Sequence, residues 1–386
     1  MISKFFLGLF LTISAAEAFA EDVNILYVDR AADPYYAPRL SYAGTYNGTR
    51  QSAFLGAELG LRDAKIIGRA SSKTFHLNHF TIPAGVSALG AVSEALKSEG
   101  DVAIILDLPP QDIVDLAKTE GEIPLFNIRE RSDALRVKTC HSNIFHVAPS
   151  DAMISDALAQ YLKLMNWNSV LMLSGDVAND DILSQSFERA ANKFGLTIVG
   201  HRKFVAGNDP RQREQNNVNL LTGGVDYDVI FVADEIGDFS KVLPYRTFSP
   251  RPVIGAAGLR AIAWHAYWER NGAPQLNRRF FKANSHLMTE ESWAAWVAVS
   301  TIVDAAVHNE QSGGSMVKQI LDSKTAIELY KGYPGSYRDW DHQLRQSILL
   351  GTTDAVVALA PVEGALHERN NLDTLGYDAP EFHCDQ

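Results

Sequence analysis

Two matched segments, each an amphipathic helix followed by a short apolar run, set the hydrophobic pattern of the middle of the chain. In each segment, apolar side chains recur at helical spacing, and the run that follows is rich in β-branched residues. The two apolar stripes comprise Ile154, Leu158, Tyr161, Leu162 and Met165, and then Leu183, Phe187, Ala190, Ala191 and Phe194. Helices and strands that alternate in this way predict a parallel sheet covered by helices on both faces.

The first 145 residues repeat this alternation of strands and helices on their own. Apolar strands are predicted in "VNILYVD", "SKTFHLNHFTI", "VAIILDLPP" and "PLFNIRER", with amphipathic helices between them. A long loop rich in tyrosine and proline, "RAADPYYAPRLSYAGTYNG", follows the first strand. The predicted fold class is therefore α/β, with two Rossmann-like, doubly wound lobes and a cleft between them.

Three further segments complete the predicted secondary structure. Ser150 precedes the first matched helix and is expected to be its N-cap. A tryptophan-rich helix over 290–307 is predicted to return to the first lobe. The stretch "SILLGTTDAVVALAPVEG" alternates like two exposed antiparallel strands joined by a turn, and the residues after it predict an irregular tail.

The first twenty residues are typical of a secretory signal peptide. Lys4 precedes the short apolar run "FFLGLFLTI", and "AFA" ends at Ala20 with small residues, so cleavage is expected before Glu21. That run is too short to span a bilayer, and no later stretch approaches the ~20 apolar residues that a membrane span needs. We therefore expect a soluble, exported protein of the periplasm that is not embedded in a membrane.

Charge and cysteine content narrow the choice of partners. The formal net charge of −11 argues against nucleic acid as a partner. The two cysteines, Cys140 and Cys384, are expected to form one disulfide in an oxidising compartment, and the alternative is two unpaired thiols. Hydrophobic residues make up 46% of the chain, so neither a metal nor a disulfide is needed for it to fold.

The candidate ligand-binding residues follow from the position of the cleft. In open α/β sheets, ligands bind beyond the carboxyl ends of the strands, and the loops at those ends are rich in polar side chains here. The candidates are Tyr35, Tyr36, Asp107, Asn127, Arg129, Arg131, Ser174, Asp176, Asp234 and Glu235.

Carboxylates recur at these strand ends and leave three interpretations open, one of which is polar contact with a ligand. Convergent oxygens would suit a hard cation such as calcium or a lanthanide. Alternatively, carboxylates such as Asp176, Asp180 and Asp181 lie at the start of a helix, where they interact favourably with its dipole. The carboxylates concerned are Asp107, Glu130, Asp176, Asp180, Asp181, Asp234 and Glu235.

The arginines and tyrosines of the cleft also allow two interpretations. Arg129 and Arg131 could bind the carboxylate of an organic acid in a bidentate manner, or pair with Glu130 and Asp133. The tyrosines of the first loop could stack on a ligand, or simply pack over the first helix. No G-x-S-x-G, Walker, G-x-G-x-x-G, H-E-x-x-H or EF-hand motif is present, so we expect a binding protein without a cofactor and not an enzyme.

Several long segments carry a family resemblance. "NIFHVAPSDAMISDALAQYL", "GDVANDDILSQSFERAANKFGLTIVGHRKFVAGNDP" and "DYDVIFVADE" resemble type I periplasmic binding proteins, the fold of leucine/isoleucine/valine receptors. "LPPQDIVDLAK", "PGSYRDWDHQLRQSILLGTTDAVVALAP" and "LHERNNLDTLGYDAPEFHC" are similar to the binding proteins associated with pyrroloquinoline-quinone-dependent alcohol dehydrogenase systems.

This resemblance implies a monomer that closes on a small-molecule or ion ligand and delivers it to the membrane subunits of an ABC transporter. It implies a hinge of three crossovers, near 143–149, 258–265 and 329–345. The alternative is a sensory or calcium- or lanthanide-binding accessory protein of the same alcohol-oxidising system. The expected organisation is a signal peptide over 1–20, an N-terminal lobe over 21–145 and 262–330, a C-terminal lobe over 146–261 and 331–365, and a tail over 366–386.

One departure from the resemblance concerns the ligand. Amino-acid receptors of this fold hold the ligand with a Ser/Thr-rich loop and with an acidic residue from the far lobe. Here the corresponding loops read "NIRERSDALR" and, after "VIG", "AAGL" with no acid. The resemblance therefore implies the transport role without implying an amino acid as the cargo.

Overall fold

A computed structural model provides the coordinates of the chain. Two sequence predictions lie outside the residues that it describes: the signal peptide over 1–20 and the pairing of Cys140 with Cys384, and both stay predictions. The structure describes residues 21–41, 44–46, 48–99, 103–118, 123–138, 141–205, 207, 209–212, 214–308, 315–322 and 326–383.

The N-terminal lobe is built on a parallel sheet of five strands. Its strands are β1 (Glu21–Arg30), β2 (Lys73–Ile82), β3 (Ala103–Leu106), β4 (Leu125–Asn127) and β5 (Ile144–His146). Its first helices are α1 (Phe54–Ser71), α2 (Ala88–Glu99), α3 (Pro110–Ala117) and α4 (Ala134–Val137). The strand order is β2-β1-β3-β4-β5, and every pairing is parallel. All four residues of β3 are buried, as expected of a central strand covered by helices on both faces.

The C-terminal lobe contains the two matched helix–strand segments. Its elements are α5 (Asp151–Leu164), β6 (Ser169–Ser174), α6 (Ala178–Phe194), β7 (Thr197–Lys203), α7 (Val218–Thr222), β8 (Val229–Ala233) and β9 (Val253–Gly255). The strands form a parallel sheet of order β7-β6-β8-β9. Leu158 and Phe187 of the two stripes are buried in one core, and the Ser150 side chain accepts a hydrogen bond from the Met153 N–H as the predicted N-cap. The predicted α/β class with two doubly wound lobes is confirmed.

The remaining elements complete the two lobes. They are β10 (Arg260–Ile262), α8 (Ala273–Asn284), α9 (Glu290–His308), α10 (Met316–Asp322), β11 (Ser336–Tyr337), β12 (Leu344–Arg345), β13 (Ile348–Gly351) and β14 (Val356–Ala360). Helix α9 returns to the N-terminal lobe, as predicted, and packs along α1. A Cβ at Gly56 would lie 1.8 Å from the Ser292 backbone oxygen, so only glycine permits this approach of the two helices. Among the helices that the structure describes, none combines the length and the apolarity needed to cross a membrane.

The end of the chain is partly as predicted. Strands β13 and β14 are antiparallel, which confirms the predicted pair, but β13 is fully buried between β10 and β14, so the predicted exposure is wrong for that strand. The tail is irregular apart from short 3-10 turns, and it is anchored by a buried carboxylate. Asp373 accepts hydrogen bonds from Arg338 Nε at 2.9 Å and Arg345 Nε at 2.8 Å.

Three chain segments cross between the lobes, and two glutamines satisfy their backbone carbonyls. The Gln343 amide donates to the oxygens of His146, at 3.0 Å, and Ala148, at 3.1 Å. The Gln346 amide donates to the Val147 oxygen at 2.7 Å. The first and third crossovers are thereby joined side by side through buried side chains.

A buried lysine joins the second crossover to the same network. Lys331 Nζ donates to the Ala263 oxygen at 2.9 Å and to Gln346 Oε1 at 2.7 Å, and it lies 3.9 Å above the Trp293 ring. Burial lowers the pKa of this amine well below its usual range. Lys331 is therefore the side chain through which all three crossovers are connected.

We expect the substitution Lys331→Met to destabilise the protein by roughly 2–4 kcal/mol, because it leaves two buried acceptors without donors. The free energy of unfolding, measured by urea titration, tests this. Lys282→Met, at an exposed position of α8, is the matched control and should change stability little. An equal, small effect of both substitutions would contradict the role of Lys331 in connecting the crossovers.

Candidate functional site

A cavity of about 680 Å³ lies between the lobes, within the usual range of small-molecule sites. Its N-terminal wall is made mainly of charged and tyrosine side chains. Its C-terminal wall contains most of the apolar lining. The N-terminal lobe contributes the side chains of Tyr35, Arg39, Arg50, Arg129, Glu130, Arg131, Glu290 and Glu291. The apolar side chains on the other side of the cavity are those of Ile154, Leu158, Leu183, Phe231, Val232, Ile236, Ala256, Ala261 and Ile262.

Tyr35, in the long loop after β1, is fixed within the N-terminal wall. Its hydroxyl donates a hydrogen bond to Glu291, and Arg50 and Arg129 lie over its ring at 4.0 and 4.5 Å. Burial raises the pKa of the Tyr35 phenol, and Glu291 raises it further, so the hydroxyl remains a donor. Burial opposes the charge of Glu291, but hydrogen bonds from Tyr35 and from its own N–H hold the pKa of Glu291 below its usual range.

Arg129 is held by two aspartates and is almost inaccessible. Its Nη2 donates to Asp33 Oδ2 at 2.6 Å, and its Nη1 lies 3.0 Å from Asp107 Oδ1. Asp107 also accepts hydrogen bonds from the Tyr27 hydroxyl at 2.7 Å and the Tyr36 hydroxyl at 2.5 Å. The side chains of Arg129 and Asp107 are 5% and 1% exposed, so this cluster supports the wall from behind.

Arg131 lies at the surface of the wall and pairs with helix α9. Its Nη2 donates to Glu290 Oε2 at 2.8 Å, and the same oxygen accepts the Ala263 N–H at 2.6 Å. One third of the Arg131 side chain remains exposed. Glu290 therefore contacts both a cleft residue and the second crossover.

Asp234 and Glu235, after β8, line the opposite wall. Asp234 accepts the backbone N–H groups of Gly237 at 2.9 Å and Ser240 at 2.8 Å, so it shapes its own loop. Glu235 accepts a hydrogen bond from Asn179 at 3.0 Å. Its Oε1 also lies 4.0 Å from Arg50 Nη2 of the other lobe, which makes it a point of contact across the cleft.

Ser174 lies at the end of β6 but is turned away from the cavity. Its Oγ is 2.8 Å from His201 Nε2, and Glu188 Oε1 is 3.6 Å from His201 Nδ1. This order of hydroxyl, imidazole and carboxylate is the one that nucleophilic catalysis uses. Ser174 is, however, 0% exposed, so no substrate can reach its oxygen, and we interpret the three side chains as a structural contact.

The ten sequence candidates thus divide into two groups. Tyr35, Arg129, Arg131, Asp234 and Glu235 line the cavity. The other five, Tyr36, Asp107, Asn127, Ser174 and Asp176, are not among its lining residues. Asn127 is fully buried and donates to the Glu130 oxygen, and Asp176 lies exposed in the turn before α6. Contact of any of the ten with a ligand stays a prediction.

Sequence reasoning missed several cavity residues. Ile154 and Leu158 were assigned only to the core stripe of α5, although both also line the cavity. Arg260 lies on the short strand β10, whose pairing with β13 has no local sequence signal. Asp151, the first residue of α5, could have been found, because it directly follows the predicted N-cap.

Several acidic side chains at the strand ends have partners within the protein. Asp180 accepts the Glu235 N–H at 2.7 Å, and Asp181 pairs with Lys203 at 2.9 Å. Within the described residues, no group of three or more His, Cys, Asp or Glu side chains could hold a metal ion. The structure of this part of the chain therefore favours helix-start and loop-stabilising roles for these carboxylates.

Asp151 has the most perturbed environment among the cavity's carboxylates. It is largely buried, and burial together with the nearby Asp133 raises the pKa of Asp151 to about 7, against the opposing effect of Arg131 and Arg136. Among the described residues its carboxyl group has no hydrogen-bond partner. Asp151 therefore titrates near neutral pH in the cavity wall.

Comparisons with known proteins place this geometry in context. The model of the receptor family ligand binding region (ANF_receptor) matches residues 111–232. No curated protein matches the chain. Solved structures with the same fold include a branched chain amino acid ABC transporter periplasmic ligand-binding protein from Burkholderia xenovorans, at 12% identity, a TM-score of 0.67, and coverage of 87% of this chain and 95% of that one.

Two further solved structures were determined with ligands. LivJ of Streptococcus pneumoniae, in complex with isoleucine, is 15% identical, with a TM-score of 0.62 and coverage of 88% of this chain and 99% of that one. An ABC transporter solute binding protein from R. palustris, in complex with benzoate, is 12% identical, with a TM-score of 0.60 and coverage of 87% and 96%. At these identities the similarity shows a shared fold, that of type I periplasmic binding proteins.

The raised pKa of Asp151 predicts a pH-dependent effect of Asp151→Asn. Because the folded pKa exceeds the unfolded one, the folded state holds the proton more tightly, and stability from this group falls as pH rises from about 4 to about 7. The asparagine variant lacks this loss. Its stability relative to the original protein should therefore rise by roughly 2 kcal/mol between pH values near 5 and near 8.

Urea unfolding at the two pH values measures this difference. Asp354→Asn, at an exposed position outside the cavity, is the matched control, and its relative stability should not change with pH. A pH-independent effect of Asp151→Asn would contradict the assignment of Asp151 as the titrating group.

Proposed function

We propose that this chain is a periplasmic solute-binding protein that captures a small ligand between its lobes by hinge closure and delivers it to the membrane subunits of an ABC transporter. The observation that carries the proposal is the 680 Å³ cavity, which is lined by both lobes and by Arg260, Ala261 and Ile262 of the second crossover. A site divided between two bodies that are joined by a few strands suits capture by domain closure.

The two walls of the cavity suit different parts of a ligand. Ile154 and Leu158 of α5 and Phe231 of β8 offer an apolar surface, whereas the N-terminal lobe offers charges and hydroxyl groups. Closure of the lobes would bury a small solute between these walls and exclude water from it. The contact of Arg50 with Glu235 already spans the two lobes and would shorten on closure.

The transport role is supported by the proteins that share the fold. The neighbours from B. xenovorans, S. pneumoniae and R. palustris are described as ABC transporter or amino-acid transporter binding proteins. Two of them hold small carboxylic acids, isoleucine and benzoate. We carry the transport role to this chain as part of the proposal.

We further propose a link to pyrroloquinoline-quinone-dependent alcohol oxidation, on the strength of the narrower sequence resemblance. In the structure, "PGSYRDWDHQLRQSILLGTTDAVVALAP" supplies Arg338, Gln343 and Gln346, which form the hinge and anchor the tail. This part of the resemblance therefore lies at the crossovers between the lobes. The cargo has to be identified by measurements of ligand binding. A thermal-shift screen of the quinone, short alcohols, their acids, calcium and a lanthanide is the first experiment.

A sensory role in the same alcohol-oxidising system is the alternative. Such a protein would close on the same ligand, but its partner would be a signalling chain. Co-purification of the tagged protein from its native membrane with transporter subunits supports the proposal, whereas co-purification with a sensor kinase supports the alternative.

The closure mechanism predicts a difference between two isoleucine-to-glutamate variants in α5 and α6. Ile154→Glu places a charge in the apolar wall and should weaken binding of a compound found by the screen by about tenfold or more, because the carboxylate must be desolvated on closure. Ile182→Glu, at an exposed position of α6, should bind normally.

Isothermal titration measures both affinities, and melting temperatures confirm that both variants fold. Small-angle X-ray scattering should show a smaller radius of gyration when the ligand is bound. If scattering is unchanged at saturation, or if both variants bind equally well, ligand capture in this cleft is refuted.

A further inference from the structure

The acidic side chains that line the cavity are already satisfied by donors of the protein itself. Glu290 accepts from Arg131 and from a backbone N–H, and Glu291 accepts from the Tyr35 hydroxyl. Glu130 accepts the Ser132 N–H at 2.8 Å. Asp234 accepts the Gly237 N–H, and Glu235 accepts a hydrogen bond from Asn179. Asp151 is the exception among the acidic lining residues, because its carboxyl group has no hydrogen bond within the described residues, and its burial favours the neutral form near pH 7.

Most of the basic side chains are satisfied in the same way. Arg129 is paired with two aspartates, Arg131 with Glu290, and Lys241 with Asp238 at 2.7 Å. Arg50 donates to the Tyr35 backbone oxygen at 3.1 Å and faces Glu235. A ligand that required any of these groups would have to displace an existing partner.

Two arginines of the cavity are different. Arg39, in the loop of the N-terminal lobe, and Arg260, on β10 of the C-terminal lobe, line the cavity and have no side-chain hydrogen bond or ion pair within the described residues. Arg39 is exposed, so water solvates it fully. Arg260 is half-buried, so part of its hydration is lost, and no acceptor from the described part of the chain replaces it.

Arg260 shares the cavity lining with apolar residues of α5 and of its own strand. Strand β10 packs against α5, which presents Ile154 and Leu158 to the cavity, and Ile262 follows two residues later on the same face of the strand. A guanidinium next to an apolar surface fits a molecule that has one anionic end and an apolar body. Arginine binds a carboxylate through two parallel hydrogen bonds, which fixes the orientation of such a molecule.

We propose that the cavity binds a small organic monocarboxylate with an apolar body, and that Arg260 is the residue that binds its carboxylate. This inference rests on the proposed function and specifies its ligand class. We expect an amino acid to bind less well, because the ionised carboxylates of the lining already hold donors of the protein, and an ammonium group would have to share their oxygens with those donors. A hard cation is disfavoured because, within the described residues, no group of three or more His, Cys, Asp or Glu side chains could hold a metal ion.

Two sets of three compounds provide the test. Within each set the apolar body is similar, and the polar part is a carboxylate, a hydroxyl group or an α-amino acid group. Isocaproate, isohexanol and leucine share one apolar body, and phenylacetate, phenylethanol and phenylglycine share another. Isothermal titration of the full-length mature chain should show that at least one acid binds tenfold or more tightly than its alcohol and its amino acid. Calcium chloride serves as the cation probe.

Variants of Arg260 test whether this residue binds the carboxylate of the ligand. Arg260→Gln should weaken binding of the acid about tenfold to hundredfold, the range expected for charge-assisted hydrogen bonds, and Arg260→Lys should keep part of the affinity. Arg62→Gln, at an exposed position of α1, is the matched control and should bind like the original protein. Melting temperatures show whether each variant is folded.

The outcomes separate this inference from the proposed function. Preference for an alcohol, an amino acid or calcium, no binding of either acid, or unchanged affinity of Arg260→Gln would each overturn the inference. If one of those other compounds reduces the radius of gyration of the protein on binding, the proposed function stands and only the inference about the monocarboxylate is wrong. If an acid binds through Arg260 and the radius does not change, the inference stands and closure fails.

Discussion

The structure depends on the hydrogen bonding of backbone carbonyls where the chain crosses between its lobes. Three crossovers run side by side, and their carbonyls are too buried for water to satisfy them. Gln343, Gln346 and Lys331 supply the donors from side chains. These buried side chains join the three crossovers at one place between the lobes.

The polar groups of the cavity that are available to a ligand are those that do not already pair with another group of the protein. Arg129 binds Asp107, which follows β3, and Asp33, which lies in the loop after β1. These two contacts hold the loop in place. Such buried pairs contribute less to stability than to a defined geometry, since desolvation offsets much of their attraction. A rigid wall with few unsatisfied groups discriminates between ligands better than a mobile one with many.

The sequence was sufficient for the fold and only partly for the site. Periodicity located the matched helices and strands because burial of one helix face is a local signal, visible in Leu158 and Phe187. The strand-end rule located the cleft, but it says nothing about side-chain direction, so Ser174 and Asp107 were included although they point into the protein. Arg260 could not be found, because its position depends on the pairing of β10 with β13, about ninety residues later in the chain.

Glu290 belongs to the cavity and to the joint at once, since one of its oxygens holds both Arg131 and the Ala263 N–H. In a protein that closes on its ligand, the observed affinity is the intrinsic affinity scaled by the population of the binding-competent form. A substitution at the crossovers that shifts this population changes affinity without touching a single ligand contact. For the proposed closure, substitutions at the crossovers would therefore change binding strength separately from selectivity.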